Sequence, residues 1–239
     1  MKYHGLLMKP DLIRATLAGI KTVTRRIPTP RNTLFDGGTW PKELVKDGAY
    51  RTALDWKNAT IDPGPSPAGN RGPYLHVRWP ENETTHRIYP RIQPGDRIYV
   101  KEAFVSDVPG CGAQGGYSYR VDHRDPKGDA MPLKWNSPMF MPREAARIVR
   151  EVWSVGYEFL QDITESEAYN EGIIDGGCLN CGEPEPCFCK NMKPSKRDAF
   201  IHLWDSINAE RGYPWSLNPI VMPIRYGKEN CSYDARTLQ

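Results

Sequence analysis

The chain has 239 residues, of which 39% are hydrophobic and 26% are charged. This composition is typical of a folded globular protein and excludes a disordered chain. No apolar run approaches the roughly 20 residues of a membrane helix, and the opening "MKYHGLLMKP" lacks the features of a signal peptide. We therefore expect a cytoplasmic protein without a membrane partner, and its net charge of +3 permits a nucleic-acid partner without requiring one.

The N-terminal segment predicts a strand, a helix and a second strand. "YHGLLMK" is typical of a short buried strand, and "DLIRATLAG" has apolar residues at helical spacing. Pro10 suits the first turn of that helix and Gly19 suits its end. "KTVTRRI" follows with alternating β-branched residues, which predicts a strand.

Residues 28–90 are interpreted as an insertion into a single domain that spans residues 1–239. The chain contains 22 prolines and 21 glycines, and many of them fall between residues 28 and 73. Such dense turn residues predict a long irregular surface segment, with one short helix near "PKELVKDG". Strand patterns resume at "YLHVRW" and continue through "HRIYPRI" and "GDRIYVKEAF".

The C-terminal half combines further strands with two capped helices. "GGYSYRVD", "IVREVWSVGYEFL" and "NPIVMPIRYG" predict strands. Thr164 and Glu167 form a capping-box pattern at the start of one helix, and Ser195 is a plausible cap for the next. Short strands with a few helices, without βα alternation, predict an α+β fold around a mixed sheet or small barrel.

The first candidate for chemistry is "GIKTVTRR", which contains Lys21 and Thr24. A desolvated lysine with a lowered pKa can activate a neighbouring hydroxyl as a nucleophile. Positions three apart face opposite sides of a strand, so the two side chains meet only if the backbone bends. The alternative interpretation is a solvated basic strand, and the spacing alone favours it.

The second candidate is Glu102, at the end of "GDRIYVKE" beside apolar residues. Burial raises the pKa of a carboxyl group, so Glu102 is a candidate general acid or base, or a partner for Lys21. A surface salt bridge is the alternative.

The third candidate is the cysteine-rich loop, residues 175–193. Its "CLNCGEPEPCFC" places Cys178, Cys181, Cys187 and Cys189 in a C-x2-C-x5-C-x1-C pattern. The first pair has the spacing of a zinc knuckle, and the second pair is tighter than usual. We predict a structural zinc ion, with free or disulfide-bonded thiols as the alternative.

Taken in order, several segments resemble the ASCH domain family, in particular the long form carried by phages and prophages. The resemblance covers both ends and the middle of the chain, and leaves out most of residues 28–90 and the cysteine-rich loop. The matching segments are "MKPDLIRATLAGIKTVTRR", "QPGDRIYVKEAF", "YSYRVD", "SPMFMPREAARI", "LQDITESEAYNEGI", "AFIHLWDSIN" and "NPIVMPIRY".

This resemblance implies a PUA-like fold, a small mixed β-barrel with packed helices, here with a long irregular insertion and a cysteine-rich loop. Some family members are amidohydrolases that deacetylate N4-acetylcytidine, and others are ribonucleases or RNA-binding regulators. The deacetylases work through a lysine and a threonine in a G-x-K-x-x-T motif and a later glutamate. That motif matches Gly19, Lys21 and Thr24, and Glu102 is the best match for the glutamate. The implied chemistry is attack by Thr24, activated by Lys21, on an acyl carbonyl, with Glu102 handling the proton.

The alternative function is a non-catalytic reader of RNA, DNA or a modified base. Basic and aromatic side chains suit phosphate contacts and base stacking, respectively. The candidates are Arg25, Arg26, Arg97, Tyr99, Tyr119, Arg120, Trp135 and Arg143. An interaction protein that uses its proline-rich insertion is a third interpretation.

Overall fold

The structure is a computed structural model that describes residues 1–64, 72–106, 116–123, 134–174 and 195–229. Within these ranges the strands are β1 (Tyr3–Leu7), β2 (Val23–Arg26), β3 (Thr33–Phe35), β4 (Asp55–Asp62), β5 (Tyr74–Trp79), β6 (Thr84–Pro90), β7 (Arg97–Lys101), β8 (Phe104–Ser106), β9 (Tyr117–Tyr119), β10 (Val149–Val155), β11 (Glu158–Phe159) and β12 (Ile220–Tyr226). The α-helices are α1 (Pro10–Leu17), α2 (Lys42–Val45), α3 (Tyr50–Ala53), α4 (Glu165–Asn170) and α5 (Lys196–Asn208).

The main sheet is a curled half-barrel in the order β1-β7-β10-β12, with β11 and β2 also paired to β12. β1 runs parallel to β7, whereas the other pairs are antiparallel, so the sheet is mixed. This confirms the predicted α+β class. The first and last strands of the curl approach each other, because Nη2 of Arg26 on β2 donates to the Leu7 carbonyl on β1 at 2.8 Å.

Segment 28–90 is more regular than its proline and glycine content predicts. It forms an antiparallel sheet in the order β3-β6-β5-β4, together with α2 and α3. The prediction missed β4, because this strand is polar, buries only Ala59 and pairs with β5 alone. Such an edge strand lacks the apolar alternation that identifies a strand in sequence.

One core joins the two sheets, since Ile98 and Ile224 of the half-barrel belong to the same buried cluster as Leu75 and Ile88 of the inserted sheet. Burial of side chains of this size stabilises a fold by about 1.5–3 kcal/mol each. The inserted sheet is therefore part of the domain's hydrophobic core.

The two predicted helices begin at their predicted caps. Thr164 accepts from the backbone of Glu167 at 3.2 Å, and the Glu167 side chain accepts in return from the Thr164 backbone at 3.3 Å. Ser195 and Asp198 form the same reciprocal pair at the start of α5. Phe200 and Trp204 of α5 then pack in one buried cluster with Val221 of β12.

Candidate functional site

The turn after α1 directs Lys21 into the protein interior. Gly19 takes a φ of +70°, which allows the chain to reverse after the helix. The backbone N–H groups of Ile20 and Lys21 both donate to the Ala15 carbonyl, at 2.9 and 3.0 Å. β2 begins only at Val23, so Lys21 lies before the strand and the strand's alternation does not govern it.

The Lys21 ammonium is enclosed and fully hydrogen-bonded. Its Nζ donates to the Val23 carbonyl at 2.7 Å, to the Glu171 carbonyl at 2.8 Å and to Glu171 Oε2 at 2.6 Å. Burial lowers the pKa of Lys21, and the Glu171 carboxylate partly offsets this. Gly172 packs directly on this side chain, since a Cβ added there would lie 3.2 Å from the Lys21 Cβ.

Glu171 is the centre of a buried ionic network. Besides Lys21, its carboxylate accepts from the Arg25 backbone N–H at 2.8 Å and from Arg25 Nη1 at 3.2 Å. Arg25 also contacts Glu158 at 2.6 Å and Glu167 at 3.2 Å. Burial alone would lower the pKa of Arg25, but these carboxylates raise it, so Arg25 stays charged.

Glu102 belongs to a different cluster. Both of its carboxylate oxygens accept from Arg147, at 3.0 and 2.8 Å, and Arg147 also pairs with Asp122. The Arg147 guanidinium lies over the Tyr119 ring, 4.1 Å from its centroid. Burial raises the pKa of Glu102, and Arg147 opposes this shift. The structure therefore brings Lys21 together with Glu171, and it brings Glu102 together with Arg147.

A pocket of about 670 Å³ opens between the two approaching edges of the half-barrel. Its lining includes the buried residues Thr24, Ile224 and Glu171. β1 and α5 line its sides. Thr24 is one of the lining residues, and its hydroxyl forms no hydrogen bond within the part of the chain that the structure describes. Lys21 and Glu102 are not part of the pocket lining.

The pocket wall is rich in arginine. We call it the arginine pocket, after Arg26, Arg31, Arg51, Arg91 and Arg211. None of these side chains forms an ion pair with a carboxylate inside the described ranges; their bonds go to a backbone carbonyl in Arg26 and Arg91 and to the Tyr50 hydroxyl in Arg51. The lining carboxylate, Glu171, is already neutralised by Lys21 and Arg25. Among the described residues, the pocket consequently presents positive charge that no carboxylate compensates.

Aromatic rings accompany these arginines. The Arg51 guanidinium lies over Tyr50 at 5.7 Å and over Tyr213 at 5.9 Å. Phe200 and Trp204 of α5 also line the pocket.

The other predicted binding residues lie in several places. Arg25 and Arg26 line the pocket, but Arg25 is committed to the buried network. Arg97 donates to the Tyr3 hydroxyl at 3.0 Å, and Arg143 lies 4.7 Å from the centre of the Tyr3 ring, which itself lines the pocket.

The four remaining predicted binding residues lie in separate places. Tyr99 of β7 lies against Gly5. Tyr119 is buried and donates to the Ala145 carbonyl at 2.7 Å, Arg120 is exposed, and the Trp135 ring packs 5.7 Å from His123. The predicted set therefore does not form one surface.

The cysteine-rich loop lies outside the described residues, and so does the predicted zinc site. Within the described ranges, no group of His, Cys, Asp and Glu side chains has an arrangement that could hold a metal ion. The same ranges contain no helix long and apolar enough to cross a membrane.

Sequence reasoning missed the residues that surround Lys21 and the residues that charge the pocket. Glu171 precedes Gly172 at the end of α4, a position that resembles an ordinary helix terminus. Arg31 lies 60 positions before Arg91, and Arg91 lies 120 positions before Arg211, so the three become neighbours only through the fold.

Comparison of the chain with models of known protein families, with curated proteins and with solved structures gives no match.

Proposed function

We propose that this protein binds a nucleotide or a nucleic acid in the arginine pocket. The observation that carries the proposal is the accumulation, around one concave space, of guanidinium groups that have no carboxylate partner among the described residues. Guanidinium groups recognise phosphate oxygens in two-pronged geometry, which makes phosphate the ligand chemistry that suits this lining. A volume of about 670 Å³ falls within the range of small-molecule sites.

The aromatic residues of the lining support a base next to the phosphate. Tyr50, Tyr213 and Trp204 are among the residues that line the same pocket, and stacking contributes about 1–3 kcal/mol per base in single-strand binders. A ligand with both a phosphate and an aromatic base would use both kinds of side chain at once.

The proposal agrees with the resemblance to ASCH domain proteins of the phage and prophage type. A curled half-barrel is compatible with a PUA-like barrel, and we propose that fold and family for the chain. We also propose that Cys178, Cys181, Cys187 and Cys189 hold a structural zinc ion, and that the protein acts in the cytoplasm. Metal analysis of protein purified under reducing, chelator-free conditions tests the zinc site, and a content near zero per chain would reject it.

Binding is tested by titrating the protein with labelled single-stranded RNA and DNA and with mononucleotides at several salt concentrations. Tripolyphosphate and heparin serve as polyanions without bases. We expect nucleotides or strands to bind more tightly than these polyanions, with affinity that falls as salt rises. Arg211→Gln should weaken binding about tenfold and lower the salt slope by about 1, whereas Arg78→Gln, an equally exposed change on β5, should not. Equal binding of heparin would contradict the proposal.

A second candidate function is hydrolysis of an acylated base such as N4-acetylcytidine. The observation that favours it is that Thr24 lines the pocket and that its hydroxyl forms no hydrogen bond within the described structure. The Lys21 ammonium lies beside the Val23–Thr24 peptide, because it donates to the Val23 carbonyl at 2.7 Å. In this scheme the Thr24 oxygen attacks the acyl carbonyl, the bond between the carbonyl carbon and the nitrogen of the base breaks, and the hydroxyl proton moves to that nitrogen. Water then hydrolyses the acyl-threonine ester and releases the carboxylic acid. Glu171 occupies the place beside Lys21 for which Glu102 was predicted.

The variant that tests hydrolysis is Thr24→Val, which removes the hydroxyl and keeps the shape. Lys21→Ala is uninformative alone, because Lys21 neutralises a buried carboxylate and its loss would also damage the fold. Purified protein is incubated with N4-acetylcytidine and other acylated nucleosides, and the products are identified by mass spectrometry. No turnover by the wild-type protein, or unchanged turnover in Thr24→Val, would reject this function.

A further inference from the structure

We propose that the ligand of the arginine pocket carries a phosphomonoester, either as a free mononucleotide or at the end of a strand. The phosphomonoester binds among Arg26, Arg31, Arg91 and Arg211. This inference rests on the proposed function and narrows the ligand class of the same site.

Positive charge is concentrated around Arg26. Burial lowers the pKa of Arg26, the Glu171 carboxylate and Tyr226 oppose that shift, and Arg211 and Arg31 lie close enough to lower the pKa further. Like charges at this range repel, and the Glu171 carboxylate is already shared between Lys21 and Arg25. A phosphomonoester brings about −1.5 to −2 charges at neutral pH, more than an internal phosphodiester with its single charge. The higher negative charge of a phosphomonoester therefore suits the positive charge of Arg26, Arg31 and Arg211 better than a phosphodiester does.

Two of the pocket arginines lie below the protein surface. Arg26 and Arg91 are half-buried, and the Nε atom of each has no contact with solvent and no hydrogen-bond partner within the described ranges. The Arg91 backbone N–H donates to the Asn32 carbonyl at 2.9 Å, and Arg91 Nη2 donates to the Pro30 carbonyl at 3.3 Å. These bonds hold Arg91 against the chain segment that carries Arg31.

The arginines of the pocket lie at two depths, an outer level and an inner level. Arg31 and Arg211 are exposed, whereas Arg26 and Arg91 lie deeper. A phosphate that contacts both levels therefore enters the pocket, which the buried residues Thr24 and Ile224 also line. An internal phosphodiester at that depth would require the strand to enter and to leave again. A terminal phosphate requires one connection to the rest of the ligand.

The test compares affinities by isothermal titration calorimetry at low salt, for each of the four common bases. The probes are the nucleoside, its 5′- and 3′-monophosphates, the dinucleoside monophosphate, and an oligonucleotide with or without a 5′-phosphate. We expect at least one monophosphate to bind ten times more tightly than its nucleoside and than the dinucleoside monophosphate. Tight binding of the 5′-phosphorylated oligonucleotide would assign the phosphate to a strand end, and binding of the mononucleotide alone would assign it to a free ligand; either result supports the inference.

Variants locate the phosphate. Arg91→Gln and Arg211→Gln should each reduce monophosphate affinity about tenfold and leave nucleoside affinity unchanged, while Arg78→Gln serves as the control outside the pocket. Arg211 and Arg78 are exposed, so both variants are expected to fold. If the nucleoside or the dinucleoside monophosphate binds as tightly as the monophosphate, this inference fails and the proposed function stands. If none of the nucleosides, nucleotides or oligonucleotides binds, both fail.

Discussion

Replacing Glu171 with glutamine should destabilise the protein more than any other single neutral substitution of a glutamate in the described network. Glu171→Gln keeps the size of the side chain and removes the charge that faces Lys21 at 2.6 Å and Arg25 at 3.2 Å. It also replaces one acceptor oxygen with an amide NH2 group, which is a donor. That donor then faces other donors, either the Lys21 ammonium or the Arg25 N–H groups. Two buried cations then lose their shared partner.

The magnitude follows from the burial of the pair. The Lys21 side chain is 0% exposed and that of Glu171 is 5% exposed, so water cannot replace the lost interaction. Removing one partner of such a pair costs about 3–5 kcal/mol, which is a large part of the about 5–15 kcal/mol that typical domains possess. With a urea m value of about 2–3 kcal/mol/M, the midpoint of unfolding should fall by about 1–2 M.

The assay is equilibrium unfolding in urea, followed by tryptophan fluorescence. Glu43→Gln, the same change at an exposed position of α2, should stay within about 0.5 kcal/mol of the wild type. The double variant Lys21→Met/Glu171→Gln should lose less unfolding free energy than the two single variants together. Each single variant leaves the charge of the other residue buried without this partner, whereas the double variant removes both charges. A loss of unfolding free energy below about 1 kcal/mol in Glu171→Gln would be close to that of a surface substitution. Such a result would refute the network as a source of stability.

Three further changes test the frame around the pocket. Gly172→Ala places a Cβ 2.9 Å from the Ala15 Cβ at a φ of +95°; thermal unfolding should show a loss of at least about 2 kcal/mol, and Gly212→Ala, at a φ of +88° with nothing within 4 Å, should lose clearly less. Similar losses in both would show that backbone strain alone is responsible. Burial raises the pKa of Asp96, but its hydrogen bonds outweigh this and hold the pKa below the ordinary 3.8; the stability it contributes is present above pH 3.8 and is lost as pH falls through the lowered pKa. Asp96→Asn should therefore flatten the acid limb of a stability–pH curve, and an unchanged limb would contradict this role. Ser195→Ala removes the cap of α5 and should cost about 1 kcal/mol by urea unfolding, whereas no change would mean that Asp198 alone caps the helix.

Local sequence patterns predicted most of the secondary structure correctly. Apolar spacing identified α1, and the capping residues Thr164 and Ser195 marked the starts of α4 and α5. These features depend on neighbours within four residues, so their physics is visible in a short window. The polar edge strand β4 was not predicted, because it is stabilised by pairing with β5 and its own side chains show no apolar alternation.

In the candidate site too, local sequence features were predicted and contacts between distant residues were not. Lys21 and Thr24 drew attention because a lysine, a threonine and a turn glycine stand close together in the chain, and Thr24 does line a pocket. The partner of Lys21 was beyond reach, since Glu171 lies 150 positions away and no local pattern connects them. Burial decides such pairings, and burial is a property of the folded chain.

Composition, periodicity and capping thus specified a mixed α+β chain with a basic segment after its first helix. Only the curling of the sheet placed Arg26 beside Leu7 and brought Arg31, Arg91 and Arg211 around one space. The reason is physical: strand pairing and helix caps are short-range interactions, whereas a pocket is formed by side chains whose separation is set by the packing of the entire core. The tertiary structure accordingly decided which charges are neutralised, in the network around Glu171, and which face the pocket without a carboxylate partner in the described chain.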